Sequence, residues 1–223
     1  MVARCQSGSF DLIIFGLPEP ARRGPTRELG VQVGDDAKPV FTAWTVGEAR
    51  DAAFSRLPAR VARQLAKGGA LQIIIPAAQD GGRRTRYLMS LEPSSVAIEQ
   101  ILTACGRPLV DPRVYDETAS TGNGQDGLPA EVDWVSRPRP EFPDAVNHRM
   151  VSVGYVVMSC LAHADGRLDQ CVVESEAPAG YKMGEAILES MQRARVRLTP
   201  QGEASDCPLE GRMIQFTVNF RLA

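Results

Sequence analysis

The chain has 223 residues, of which 43% are hydrophobic and 23% are charged, as in an ordinary globular protein. Its formal net charge of −2 supplies no positive field, which argues against nucleic acid and anionic membrane as partners. No apolar run approaches the roughly 20 residues of a membrane-spanning helix. The first five residues lack the apolar stretch of a secretion signal, so the chain is expected to be either cytoplasmic or a mature form.

Residues 1–115 are predicted to form an α+β domain. Runs rich in β-branched and apolar residues predict strands at Asp11–Leu17, Leu29–Val33, Val40–Thr45, Leu71–Ile75 and Tyr87–Leu91. One helix is predicted from Pro58, which suits a first helical turn, to the stop at Gly68. A second begins at Ser94 or Ser95, where a hydroxyl can cap free amides, and ends at Gly106.

Residues 116–139 are predicted to be a linker. Thr118–Gly127 has no hydrophobic periodicity and is rich in glycine, serine and threonine, and Pro129, Pro138 and Pro140 favour extended backbone. Gly122–Gly127 matches the pattern GxGxxG, but it follows no predicted strand and opens no predicted helix. The match therefore does not indicate a nucleotide site.

Residues 140–223 predict a ββαβ module with a three-stranded antiparallel sheet. Asp165-Gly166 between two apolar runs is a hairpin signal, because a tight turn needs positive φ angles. Lys182–Ala194 carries an apolar stripe at helical spacing that suits the face of a sheet. From Ile214 to Leu222 apolar and polar residues alternate without a break, which is the pattern of a strand with one buried face.

Five cysteines leave at least one thiol without a partner inside the chain. A two-residue hairpin loop would place Cys160 opposite Cys171, at a hydrogen-bonded pair, the wider of the two cross-strand spacings. The alternatives are that both are reduced core residues or that one pairs with Cys207. Position and parity suggest a second bridge between Cys5 and Cys105, with Cys207 as the odd thiol. The sequence contains no CxxC spacing, so neither a thioredoxin-type site nor a zinc site is indicated.

The sequence offers no catalytic motif, and we predict no enzyme, cofactor or metal site. His163 follows Cys160 by three residues, which places the two on opposite faces of one strand, unsuited to a shared role. His148 has no identifiable partner. Glu174 and Glu176 share a strand face and are expected to be solvated.

The ordered set of elements after residue 138 resembles the C-terminal domain family of TonB. The elements that carry the resemblance are Phe142-Pro143, Gly154–Val157, Asp165-Gly166, Cys171–Ser175, Gly184–Leu188, Pro200 and Phe216–Leu222. Arg195–Leu198 departs from the family, which has an aromatic residue there. A folded domain and a short linker stand where that family has a membrane anchor and a Pro-rich spacer.

The resemblance implies a periplasmic protein that binds a segment of an outer-membrane TonB-dependent receptor by strand addition. If the last strand is the sheet edge, Gln215, Thr217, Asn219 and Arg221 would lie beside the incoming strand. An inner-membrane motor is a further partner if an anchor precedes the chain. The alternatives are a passive periplasmic adaptor with the same fold and a redox protein or enzyme that uses an unpaired cysteine.

Overall fold

The structure, a computed structural model, describes residues 1–6, 8–34, 38–78, 82–92, 95–113, 125–141, 143, 153–205 and 208–221. The chain divides into two compact units, Met1–Val110 and Asp111–Ala223. Its mixture of helices and mostly antiparallel strands agrees with the predicted α+β class. His148, Cys207, Phe142 and Leu222 lie outside the described residues.

The N-terminal unit is built on a seven-stranded antiparallel sheet with the order β1-β2-β5-β4-β3-β6-β7. Its strands are β1 Val2–Gln6, β2 Ser9–Ile14, β3 Thr26–Val33, β4 Val40–Val46, β5 Ala53–Ser55, β6 Gly69–Ile75 and β7 Thr85–Leu91. The five predicted strands are present. β1 and β5 were not predicted, because β1 has only five residues and β5 only three, which is too short for a clear pattern.

Two helices cover one face of this sheet. α1, Pro58–Ala66, and α2, Val96–Ala104, start and end close to the predicted residues. Leu65 of α1 packs with Leu12 of β2 in the main cluster, and Leu102 of α2 packs with Phe10 in a second cluster. Burial of these apolar groups is what holds the helices on the sheet.

The C-terminal unit contains a three-stranded antiparallel sheet, a two-stranded ribbon and two helices. In chain order the elements are β8 Val132–Ser136, β9 Val153–Ala162, β10 Leu168–Ala177, α3 Met183–Ser190, β11 Arg195–Leu198, α4 Pro200–Ala204 and β12 Met213–Arg221. The sheet has the order β10-β9-β12, and β8 pairs with β11 in the ribbon. The predicted helix Lys182–Ala194 is α-helical over α3 only and continues as a 3-10 turn, Met191–Arg193.

The described part of the predicted linker contains secondary structure that its sequence pattern did not predict. Gln125–Gly127 forms a 3-10 turn, and β8 lies within the range assigned to the linker. Val132 and Leu128 are fully buried in the core of the C-terminal unit. The prolines on both sides of β8 hid this strand, whose only pairing partner among the described residues, β11, lies some 60 residues further along the chain.

The hairpin between β9 and β10 differs from the prediction in its register. The amide of His163 donates to the carbonyl of Arg167, so the loop has three residues rather than two. The register then shifts between Asp169 and Val172, where β10 bulges and Gln170 takes a φ of 44°. The shift brings Cys171 back opposite Cys160, at a position between two hydrogen-bonded pairs.

Candidate functional site

The C-terminal strand β12 lies at one edge of its sheet and pairs only with β9 among the described residues. Arg212, just before β12, accepts a hydrogen bond at its carbonyl from the amide of Ala162 at 2.9 Å. Hydrogen-bonded pairs alternate along an antiparallel ladder. The even-numbered residues of β12 therefore bond to β9, and the odd-numbered ones direct their amides and carbonyls away from the sheet.

The four predicted partner-binding residues are all odd-numbered, so their backbone groups point outward. The structure separates them by exposure: Gln215 and Thr217 are half-buried, whereas Asn219 and Arg221 are exposed. Their side chains lie on the face of the sheet away from α3, because the residues that alternate with them face the core. The edge is therefore most accessible at its C-terminal end.

A turn of the chain lies against the middle of this edge. Gly127 of the 3-10 turn is so close to Thr217 that a Cβ on it would lie 3.9 Å from the Thr217 amide nitrogen and 3.8 Å from Oγ1. The next residue, Leu128, is fully buried in the core on the α3 side of the sheet. The chain thus passes around the edge of β12 at Thr217, and we call Gln125–Leu128 the edge strap.

Polar and aromatic contacts fix the chain after the edge strap. Glu131 accepts a hydrogen bond from Arg212 at 2.9 Å, beside the start of β12. The rings of Trp134 and Phe216 meet edge to face with centroids 5.0 Å apart. Before these contacts, Asp126 forms an ion pair with Arg137 at 3.4 Å. These contacts fix the strap and the described residues that follow it.

A buried arginine donates hydrogen bonds to one carbonyl in the β10 bulge and to one on the facing strand β9. Arg113 Nη1 donates to the carbonyl of Gln170 at 2.8 Å and to that of Ser159 at 3.2 Å. Both carboxylate oxygens of Asp111 accept hydrogen bonds from the same guanidinium. A carboxylate oxygen of Glu174 lies 3.5 Å from Arg113 Nη2 and accepts a hydrogen bond from the Ser159 hydroxyl. Burial lowers the pKa of Arg113, but the hydrogen bonds and charges of Asp111 and Glu174 outweigh it and raise that pKa.

The sequence pattern did not predict this cluster. Glu174 was expected to be solvated, and it is buried. The Arg113 and Glu174 positions are far apart in sequence, and no local pattern links them. We interpret this arginine as structural. Its charge is paired with a carboxylate, and its hydrogen bonds reach both strands of the hairpin.

The structure contains both predicted disulfides. Cys5 is bonded to Cys105, which ties β1 to the end of α2, and Cys160 is bonded to Cys171 across the β9–β10 hairpin. The Cα atoms of the hairpin pair are 4.1 Å apart. This is the narrow cross-strand spacing, so the expectation of the wider, hydrogen-bonded site was wrong. The error came from the loop length, which sets the register.

His163 lies at the hairpin tip between two carboxylates. Its Nε2 lies 2.6 Å from Asp169, and its Nδ1 lies 3.5 Å from Glu210, which also accepts the amide hydrogen of Ala164. The hydrogen bond with Asp169, and then the charges of Asp169 and Glu210, raise the pKa of His163 against the opposing effects of desolvation and of Arg167.

We expect NMR titration of the His163 ring to give a pKa above the ordinary 6.5. Because the pKa is raised in the folded state, the stability it contributes is complete below the unfolded-state pKa and disappears as pH rises through the folded pKa. An Asp169→Asn variant should lower the His163 pKa more than Glu210→Gln does. The opposite order would contradict the assignment of Asp169 as the main partner.

An open, polar cleft of about 650 Å³ lies beside α3 in the C-terminal unit. Arg137, Arg139 and Arg193 line it together with Glu141 and Glu189. Because both positive and negative side chains line the cleft, it does not favour a ligand of one charge. Among the described residues, no group of three or more histidine, cysteine, aspartate or glutamate side chains is placed to hold a metal ion. None of the described helices has the length and apolar character needed to cross a bilayer.

Comparisons with known proteins do not show a family for this chain. No protein-family model matches it, and no curated protein matches it. Among solved structures, it is similar to the solution NMR structure of the Pseudomonas aeruginosa TonB CTD, with 20% sequence identity over 45% of this chain and 89% of that one. The TM-score of 0.30 is too low for this likeness to support a shared fold or function.

Proposed function

We propose that this chain is a non-catalytic binding protein of the periplasm whose C-terminal unit accepts an extended segment of an outer-membrane receptor along β12. The observation that carries the proposal is the row of outward-directed amides and carbonyls on the odd residues of β12. An extended peptide can complete such an edge through main-chain hydrogen bonds, and no side chain of the protein needs to do chemistry. The ordered motifs that resemble the TonB family suggest the same mode.

The edge strap determines which part of β12 a partner strand can reach first. Asn219 and Arg221 are exposed, whereas Thr217 is covered by Gly127. A partner strand therefore engages the C-terminal end of β12 first. Pairing along the whole edge requires the strap to move away from Thr217, so full binding includes the cost of breaking the strap's contacts.

The disulfides support an oxidising compartment. Two bonded pairs are typical of exported proteins, because cytoplasmic thiols are kept reduced. A role in energy coupling through an inner-membrane motor belongs to the same proposal and rests on the family resemblance alone.

A passive adaptor is the second candidate function. The N-terminal unit has its own sheet and its own buried clusters, which is the organisation expected of an independent recognition domain. In that case the C-terminal unit would anchor the chain to a receptor and the N-terminal unit would bind another component of the envelope.

The binding site is tested by titrating the isotope-labelled chain with synthetic peptides that copy the periplasm-facing extended segments of outer-membrane receptors. We expect shifts in the backbone amides of Asn219 and Arg221 at low peptide and of Thr217 at higher peptide. An Asn219→Pro variant should weaken binding about tenfold or more, since it removes one outward donor, worth about 1.4 kcal/mol, without breaking a bond to β9.

The matched control is Asn219→Ala, which keeps the backbone amide and should leave binding nearly unchanged. Equal losses in the two variants would show side-chain recognition instead of strand addition. Shifts confined to the opposite edge, β10, or unchanged amides of β12 at saturating peptide, would contradict the proposed site.

A further inference from the structure

The last strand of the N-terminal sheet, β7, is exposed along almost its whole length. It pairs only with β6 among the described residues, and its apolar side chains are open to solvent: Tyr87 is 39% exposed, Leu88 67% and Met89 42%. Thr85–Leu91 contains neither proline nor lysine, which commonly protect a sheet edge, and Arg86 is its only charged residue. Such an edge favours pairing with another strand.

The hydrogen bonds between β3, β6 and β7 show which backbone groups of β7 can pair with a further strand. The amide of Gly34 donates to the carbonyl of Ala70 at 2.9 Å, so the even residues of β6 bond to β3. The odd residues of β6 then bond to the odd residues of β7, with which they are in continuous register. The amides and carbonyls of Arg86, Leu88 and Ser90 consequently point away from the sheet.

We propose that β7 pairs with β7 of a second copy of this chain, antiparallel and centred on Leu88. An antiparallel pairing needs outward-directed groups opposite outward-directed groups. The centred register meets this condition at every position, because Leu88 faces Leu88 of the second copy and Arg86 faces Ser90. The two seven-stranded sheets would join into one sheet around a two-fold axis, which is a closed, self-complementary arrangement.

Side chains in this register are complementary on both faces. On the face that carries Leu71 and Ile73, Tyr87 of each copy meets Met89 of the other, so two half-exposed apolar groups cover each other. On the opposite face the two Leu88 side chains meet. Leu88 is the most exposed apolar residue of the strand, and contact across the axis removes it from water.

Charges next to the strand favour the same register. Continued outward, the pairing sets Arg84 of each copy opposite Glu92 of the other, and both residues are exposed. Opposite charges at facing positions stabilise a sheet, whereas like charges there destabilise it. A shift by two residues in either direction would separate these pairs and bring Leu88 opposite Arg86 or Ser90. The charge pattern thus selects a second copy in one register.

The mass of the full chain in solution tests the proposal. Light scattering over a concentration series should show a rise from the 24.2 kDa monomer toward twice that mass. Leu88→Lys should keep the chain monomeric, because two lysines would then face each other. The control is Val96→Lys, which adds the same charge at an exposed apolar residue of α2 and should still dimerise. A wild-type chain that stays monomeric throughout, or a dimer that survives Leu88→Lys, would overturn the proposal.

Cross-linking tests the register. In a chain whose Cys207 is replaced by serine, Leu88→Cys should give a disulfide-linked dimer with oxidised glutathione, because facing Cα atoms are about 5.5 Å apart. Arg86→Cys should not, since the two copies of that residue are separated by four positions, about 13 Å along the strands. Efficient cross-linking through position 86 and not through position 88 would refute the centred register.

Discussion

Replacing Cys5 and Cys105 together by alanine is expected to destabilise the N-terminal unit by about 4–5 kcal/mol. The bond closes a loop with a sequence separation of 100 residues. The loss of chain entropy in the unfolded state grows with loop length and reaches about 4.7 kcal/mol for a 100-residue loop. A domain is stable by only about 5–15 kcal/mol, so this loss would remove between about a third and nearly all of the stability of the unit.

The two tryptophans allow each unit to be followed by itself. Trp44 is fully buried in the N-terminal unit, and Trp134 contacts Phe216 in the C-terminal unit. Denaturant unfolding of Trp134→Phe reports the N-terminal unit through Trp44, and unfolding of Trp44→Phe reports the C-terminal unit. The double alanine variant should lower the midpoint of the Trp44 signal and leave the midpoint of the Trp134 signal unchanged.

The second disulfide provides the matched control. Cys160 and Cys171 are separated by 11 residues, so their replacement by alanine should cost less, about 2–3 kcal/mol, and should affect the Trp134 signal. A larger loss from the hairpin disulfide than from the long-range one would contradict the loop-length explanation.

Gly166→Ala is expected to destabilise the C-terminal unit by about 3 kcal/mol, the largest effect we predict for a single methyl group. Gly166 has a φ of 80°, which is costly for a residue with a side chain. A Cβ there would also clash with the carbonyl oxygen of Val196, a backbone atom. The hairpin tip and β11 would have to separate, and the hydrogen bond from the Val196 amide to the Gly166 carbonyl would be lost.

Gly180→Ala separates the cost of a positive φ from the cost of the contact with Val196. Gly180 has nearly the same φ, 83°, but a Cβ added to it would meet none of the described atoms beyond its chain neighbours within 4 Å. It should therefore show only the conformational cost, about 1 kcal/mol. Unfolding followed by Trp134 measures both variants. Equal losses at the two glycines would show that contact with Val196 contributes nothing.

The alternation of apolar and polar residues in β12 correctly predicted a strand and its two faces. Ile214 and Phe216 are fully buried, as expected from a period of two. The helices α1, α2 and α3 were predicted on the same kind of evidence, since stops and apolar stripes are local features. The expected hydroxyl cap of α2 is not formed by Ser95, whose side chain accepts no capping hydrogen bond. Short or polar strands, such as β1 and β5, carry too little of this signal to be recognised.

The pairing of Cys160 with Cys171 was predicted correctly, but from a two-residue loop and an uninterrupted ladder that do not occur. The sequence indicated a turn at Asp165-Gly166 and could not show that the loop includes Ala164 or that β10 bulges at Gln170. Arg113 bonds to the carbonyl of Gln170 in this bulge from 57 residues away, and such a contact has no local sequence pattern. An error of one residue in the loop was compensated by one extra residue in the bulge.

By itself the sequence determined that β12 is a strand with outward-facing polar residues, because alternation is a property of neighbouring residues. Only the tertiary structure decided that β12 is an edge, that its odd residues direct their amides outward, and that Gly127 covers Thr217. It also decided that β7 lies at an edge of the N-terminal sheet. The physical reason is that an edge is defined by the absence or presence of a partner strand, and partners come from distant parts of the chain.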